Sequence, residues 1–401
     1  MVEVLRYKLV FPFFFALSFS LQVGLDVLEH SYIPILQNKN VGVIVNHTSV
    51  NSKGKHIIDI LMNKGINIVR IFSPEHGYLG NKSAGKKIED DVDSLSGIEI
   101  VSLYGKNKSP QAQHLRDLDI LIFDVQDIGA RYYTYVSTMT LAMEKANQNN
   151  IKFIVLDRPN PLNGVSIEGS VSHISSFVGM HPIPARHAMT VGEIALFIKQ
   201  NDLIEDAARL DLDVIKVKGW DRREMHNKKW SKWIAPSPNI PDVETALIYI
   251  GTCLLEGTNL SEGRGTDSPF MLFGAPWLDN KEIIKALKKY RFKGVSFYPY
   301  NFTPESIPGK SENPKYKDQY CKGIKIRIKN KGTVRPFDIG LAIIYEIYKK
   351  HSEDFNFKDS FFDKLYGSSD FRNAVLNLEQ VDSFDVKSEE FKKLRIKALL
   401  Y

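Results

Sequence analysis

At 401 residues, with 43% hydrophobic and 25% charged side chains, the chain has the composition of a globular protein large enough for two domains, which excludes a disordered or fibrous one. Its 53 basic residues against 47 acidic ones leave a net charge of +6 with no long basic block, which argues against a nucleic-acid partner and suits a mildly basic cleft for an anionic small molecule. Two cysteines, Cys253 and Cys321, exclude a disulfide scaffold; they can pair in an oxidising compartment or stay apart as buried apolar residues, and neither has the spacing of a zinc ligand.

In chain order, Arg6 and Lys8 precede an apolar run over residues 9–19, small residues at Ser18 and Ser20 follow, and polar sequence resumes with Asp26 and Glu29. This pattern predicts a secretory signal peptide over residues 1–20 and therefore an exported, periplasmic or extracellular protein without stable membrane insertion after cleavage. An uncleaved anchor is the alternative, although the run is short for a membrane span.

From residue 41 to 157, β-rich apolar runs alternate with helical stretches: strands at 41–45, 66–72, 98–103, 119–124 and 152–156, helices at 53–63 and 132–149. Strands apolar almost throughout and joined by crossover helices predict an α/β fold, a Rossmann-like doubly wound parallel sheet covered on both faces. Four polar clusters fall at carboxyl ends of these strands: Asn46-His47-Thr48-Ser49, Ser73-Pro74-Glu75-His76-Gly77, Asp124 through Arg131, and Asp157-Arg158-Pro159-Asn160-Pro161. That edge of an open α/β sheet is where ligands bind, so the four loops are expected to converge on one crevice. The turn after the first strand lacks a Gly-x-Gly-x-x-Gly fingerprint and no phosphate loop occurs, so no nucleotide cofactor is expected.

Past residue 157, Thr190 and Glu193 form a capping box that opens a helix, a strand spans 212–217, and Trp220, Trp230 and Trp233 are candidates for packing or for stacking on a sugar. Asp242 opens a helix over 243–256 that Gly257 ends, which places the boundary between a catalytic domain, 21–256, and a smaller α+β domain, 257–401, closing the cleft. In the smaller domain, strands are expected at 295–300 and 324–328 and helices near 336–350 and 371–378. At its start, glycines on both sides of Arg264 predict close backbone approach and a guanidinium free for an anion.

With SPEHG (73–77), DVQDIGARYYTY (124–135), LDRPNPLNG (156–164), PSPNIP (236–241) and NLSEGRGT (259–266) in this order, the chain resembles the bacterial exo-β-N-acetylmuramidases from about residue 41 to its C-terminus. That resemblance implies a Rossmann-like domain, a smaller C-terminal domain and an active site between them. It also implies an enzyme that releases N-acetylmuramic acid from the non-reducing end of peptidoglycan fragments. It places the catalytic acid at Glu75, with His76 beside it, and points to Asp127, Arg131, Tyr132, Asp157, Arg158, Glu262 and Arg264 as further site residues. One departure is visible: where the family pattern has His-Gly-Met-Thr, this chain has His187-Ala188-Met189-Thr190, which puts close backbone approach at Ala188 in doubt.

Glycoside hydrolysis needs one carboxyl group to protonate the leaving oxygen and a second group on the opposite face of the sugar. Glu75 fits the acid; Glu168, Asp127, Glu262 or the substrate's own 2-acetamido group remain open for the second role. Arg264, Arg158 or Arg186 suits the lactyl carboxylate of the substrate, and Asn46, His47, Arg131, Tyr132, Asp157 and His187 complete the candidate binding set. Two rival readings stand beside this one. One is a divalent-metal hydrolase using His47, His76, Asp124 or Asp127, and His187, although no two of these share a ligand spacing. The other is a muropeptide-binding module without catalysis.

Overall fold

The computed structural model describes residues 21–86, 89–227, 230, 232–379 and 388–401; the segment read as a signal peptide lies outside them. The described strands are β1 (Asn40–Val45), β2 (Asn67–Ser73), β3 (Asp91–Val92), β4 (Glu99–Ser102), β5 (Ile120–Asp124), β6 (Lys152–Leu156), β7 (Leu212–Ile215), β8 (Leu272–Ala275), β9 (Val295–Pro299) and β10 (Lys322–Ile328).

Period-two alternation of fully apolar strands produces a sheet with two buried faces. Ile120 and Ile122 of β5 join Val41, Val43 and Ile154 on the face covered by the helix Ile57–Asn63. Leu121 and Phe123 join Phe153 and Val155 on the other, under the helices Tyr135–Gln148 and Val191–Gln200. The strand order is β3-β4-β2-β1-β5-β6-β7, with only β3 antiparallel. Counted along the chain, the parallel strands run 3-2-1-4-5-6, the doubly wound Rossmann order, which reverses direction between β1 and β5. The smaller unit is a three-stranded antiparallel sheet, β8-β10-β9, with helices packed on it.

Local chemistry explains where helices start. The Thr190 hydroxyl accepts from Glu193 N at 3.1 Å while the Glu193 carboxylate accepts from Thr190 N at 3.0 Å, the reciprocal cap read from the sequence. The first crossover helix begins at Ile57 rather than near residue 53, because the Asn51 side chain accepts from Lys53 N and Lys55 N at 3.0 and 2.9 Å and holds that stretch in a turn. The helix expected from residue 132 begins at Tyr135, after a turn closed by Tyr133 N on Ala130 O at 3.0 Å. Strands β3 and β8, of 2 and 4 residues, are too short to show a period in sequence. The helices Asn280–Leu287, Asp359–Tyr366 and Glu389–Ile396 were likewise not anticipated. Both thiols are free and buried. No described helix is long and apolar enough to cross a membrane.

The helices Val243–Thr252 and Pro336–Lys350 cross through glycines: a Cβ on Gly251 would lie 1.8 Å from Pro336 O, and one on Gly340 would lie 2.4 Å from Gly251 O. Gly251→Ala should normally favour a helix by about 1 kcal/mol; here the clash is with backbone, so the substitution is expected to destabilise by roughly 1–3 kcal/mol. Denaturant unfolding checks this, and an unchanged or raised midpoint would contradict the backbone contact.

Candidate active site

A cleft of about 670 Å³ opens between the carboxyl edge of the large sheet and the smaller unit, a size suited to one or two sugar rings. One wall starts at the end of β2. Ser73 closes the strand, and residues 74–82 then fold back through successive turns, with Gly77 N on Pro74 O at 3.0 Å and Lys82 N on His76 O at 3.2 Å. His76 takes a left-handed φ of 72°, a conformation that a non-glycine residue holds only when its surroundings impose it.

Glu75, 9% exposed, accepts from Gly85 N at 3.1 Å through Oε1 and from the Thr134 hydroxyl at 2.6 Å through Oε2. The Tyr104 hydroxyl, from the loop after β4, also bonds to Glu75; burial and this neighbouring carboxyl push the phenol pKa well up, so it stays a donor. His76 Nδ1 donates to Lys82 O at 2.8 Å, which leaves the lone pair on Nε2. Burial lowers the His76 pKa below 6.5, a shift that the Glu75 charge opposes. Tyr132, Tyr133, Thr134 and Tyr135 continue this wall.

The facing wall is ionic. Arg264 Nη2 lies 3.0 Å from Glu256 and Nε 3.4 Å from Glu262, whose other oxygen is 3.1 Å from Lys315 Nζ. Lys315 also donates to Leu255 O and Leu260 O, both at 2.8 Å. Burial alone would raise the Glu262 pKa, but Lys315 and Arg264 outweigh it and lower it. The glycines around Arg264 do permit close approach: at φ 77° and 81°, a Cβ on Gly263 would lie 2.5 Å from Leu272 O and one on Gly265 2.6 Å from Glu305 O. The guanidinium is not free, however, because two carboxylates hold it, and Glu256 was absent from the sequence reading. Its signal was its place at the end of the helix that leads into the SEGRGT motif. The two units also meet over the cleft, through Lys86 and Glu312 at 2.8 Å and Asn239 Nδ2 donating to Lys310 O at 2.8 Å.

Of the residues singled out in sequence, Glu75, His76, Tyr132, Glu262 and Arg264 line this cleft; the others do not. Glu168 is engaged with Arg186 at 2.6 Å and with Phe337 N at 3.3 Å. Arg186 also donates to Leu162 O, so neither residue is available to a ligand there. Asp127 accepts from Gly129 N at 2.6 Å and faces His187 Nε2 at 3.7 Å. Arg131 is buried and spends its guanidinium on the carbonyls of Ser170, Ile183, Leu365 and Tyr366. Tyr132, although at the cleft, gives its hydroxyl to Ile250 O.

Asp157 accepts from Gly192 N and the Thr190 and Tyr401 hydroxyls at 2.8, 2.8 and 2.5 Å. Arg158 pairs with Asp124 rather than its neighbour Asp157, at 2.6 and 2.9 Å. Asn46 makes a local turn with Thr48 and donates to Tyr135. His47 bonds Ala235 O at 2.8 Å and packs against Gly80 on an outer rim. Ala188 adopts φ 55°, the left-handed geometry that a glycine would take freely.

The four strand-end loops therefore do not converge on one crevice. Those after β2 and β5 reach the cleft, joined there by the loop after β4, whereas the loops after β1 and β6, with Gln126, Trp230 and Trp233, line a separate cavity of about 270 Å³ at the β1/β5 reversal. The residues of the metal alternative are not assembled either. His76 is at the cleft, His47 on the outer rim, Asp124 on Arg158 and Asp127 beside His187, and among the described residues no group of three or more His, Cys, Asp or Glu is placed to hold an ion.

Two family models match the chain: exo-β-N-acetylmuramidase NamZ, N-terminal, over residues 41–244, and its C-terminal counterpart over residues 247–401. The peptidoglycan β-N-acetylmuramidase NamZ of Bacillus subtilis (strain 168) is 39% identical over 389 residues, which covers 95% of this chain and 91% of the relative. Two crystal structures of DUF1343 family proteins from Bacteroides fragilis NCTC 9343 superpose with TM-scores of 0.86 and 0.76 at 31% and 32% identity, each covering 95% of this chain and 99% of the other.

Because the folded-state pKa of His76 lies below its ordinary 6.5, the stability linked to its neutral form is present above pH 6.5 and is lost as pH falls through the folded value. The difference in unfolding free energy between wild type and His76→Gln should therefore shrink steadily on acidification from neutrality. A difference independent of pH would contradict a neutral, buried His76.

Proposed function

The chain belongs to the exo-β-N-acetylmuramidase NamZ family, and from that premise and the geometry of the cleft we propose that it is a glycoside hydrolase removing N-acetylmuramic acid from the non-reducing end of peptidoglycan fragments. The observation that carries the reading is a contrast among the carboxyl groups lining the cleft. Glu256, Glu262 and Glu312 each face Arg264, Lys315 or Lys86. Glu75 alone among the described ones bonds only neutral donors. A general acid has to carry a proton into the reaction, and a carboxylate pinned by a cation does so poorly.

In this reading Glu75 protonates the glycosidic oxygen as the bond to the aglycone breaks. Thr134, Tyr104 and Gly85 N aim its carboxyl group. On the far wall Glu262, held ionised by Lys315 and Arg264, offsets the positive charge that grows at the anomeric carbon. His76 presents an unprotonated Nε2 that suits water activation or substrate orientation. The contacts of Lys86 with Glu312 and of Asn239 with Lys310 bridge the cleft, which favours entry of a chain end over a strand threading through.

Glu75→Gln is expected to cut turnover of a chromogenic N-acetylmuramic acid glycoside by about 10²-fold or more while muropeptide binding persists. Retained turnover would remove Glu75 from the acid role. Saturable binding without any sugar release by the wild type would favour the non-catalytic reading. We further propose export and a place in cell-wall turnover, on the strength of the basic-then-apolar N-terminus. N-terminal sequencing of the protein recovered from a secreting host should start near residue 21, and a full-length chain confined to the cytoplasm would contradict export.

A further inference from the structure

N-acetylmuramic acid differs from N-acetylglucosamine by a lactyl ether, a carboxylate and a methyl group on one carbon. The arginines that sequence offered for that carboxylate are committed elsewhere: Arg158 to Asp124, Arg186 to Glu168, and Arg264 to Glu256 and Glu262. The other cleft cations divide in the same way. Lys315 is held by Glu262 and two carbonyls, and Lys86 by Glu312. Lys358 lines the cleft without an ion pair to any described carboxylate.

Its surroundings suit an incoming anion. On that wall Arg264, Lys315 and Lys358 face only Glu256 and Glu262, so one positive charge is left uncompensated. Burial and then the nearby Lys315 charge lower the Lys358 pKa, against a smaller opposing pull from Glu262 and Glu256; a bound carboxylate would relieve the repulsion. The backbone here is fixed: Lys358 N donates to Gly257 O at 2.8 Å, and Lys358 O accepts from Phe361 N and Phe362 N at 2.8 and 2.9 Å. Phe361, three residues on and therefore a neighbour on the same side of the turn, also lines the cleft and supplies an apolar surface to the same pocket.

Resting on the function proposed above, we propose that Lys358 and Phe361 form the subsite for the lactyl group, with the Lys358 ammonium taking the carboxylate and the Phe361 ring packing on the methyl. Lys310, on the strap over the cleft and also without a described carboxylate partner, is the comparator. Wild type, Lys358→Met, Phe361→Ala and Lys310→Met are titrated calorimetrically with free N-acetylmuramic acid and with N-acetylglucosamine, and assayed in parallel on the chromogenic glycosides of both sugars. Lys358→Met should weaken N-acetylmuramic acid binding about tenfold or more and leave N-acetylglucosamine binding within about twofold, a margin small beside an ion-pair loss. Phe361→Ala should produce a smaller loss in the same direction. Binding discrimination that survives in Lys358→Met, or that is lost in Lys310→Met instead, overturns the proposal, as does a wild type that binds the two sugars equally. Binding is read apart from hydrolysis: selective binding lost in Lys358→Met without sugar release from the wild type upholds the subsite and refutes the hydrolase reading alone.

Discussion

The architecture of the cleft depends on a cation that pairs with no described anion. Arg131 is buried, and the two terminal nitrogens of its guanidinium donate to four backbone carbonyls, those of Ser170, Ile183, Leu365 and Tyr366. Two of them end the helix Asp359–Tyr366, where unpaired carbonyls carry the negative end of the helix dipole. Burial lowers the Arg131 pKa to about 10, still high enough to keep the charge on which these contacts depend. The residues that follow, Tyr132 through Thr134, form part of the sheet-side wall, and Thr134 bonds Glu75. The helix that Arg131 grips carries Phe361 and Leu365 on the other wall. One side chain thus sets the two halves of the cleft in register.

The two walls are built on different electrostatic principles. Around Glu75 the donors are a backbone amide and two hydroxyls, neutral groups that orient the carboxyl. Across the cleft, Glu256, Arg264, Glu262 and Lys315 form a connected network in which each member offsets the desolvation of the next. That network rests on backbone packing available only to glycine at positions 263 and 265. The arginine read from sequence as free for an anion is instead held by two carboxylates.

Much of the fold was legible because the central strands are apolar on both faces, so β1, β2, β5 and β6 and their parallel arrangement follow from composition alone. Glu75 and His76 were legible too, because a Pro and a Gly bracket them at the end of a strand. The reading failed where placement depends on partners distant in sequence. Arg131, Asp157, Arg158, Glu168 and Arg186 sit in conspicuous polar motifs, yet each is engaged internally by residues 18 to 244 positions away or by neighbouring turns. Sequence does not distinguish a buried polar knot from a binding residue, since both need the same donors and acceptors. Glu256 and Lys358 escaped notice for the converse reason: each lies in an unremarkable stretch and acquires meaning only from what faces it.

The two cysteines bear on how the molecule matures. Cys253 lines the cleft and Cys321 lies in the smaller unit; both are buried and outside any disulfide, and burial keeps the Cys253 thiol protonated. A protonated thiol is a poor nucleophile toward oxidants and disulfides. The fold therefore forms without an oxidant or a disulfide isomerase, and reductants leave its scaffold intact. Its folding does not depend on the redox state of the surrounding compartment.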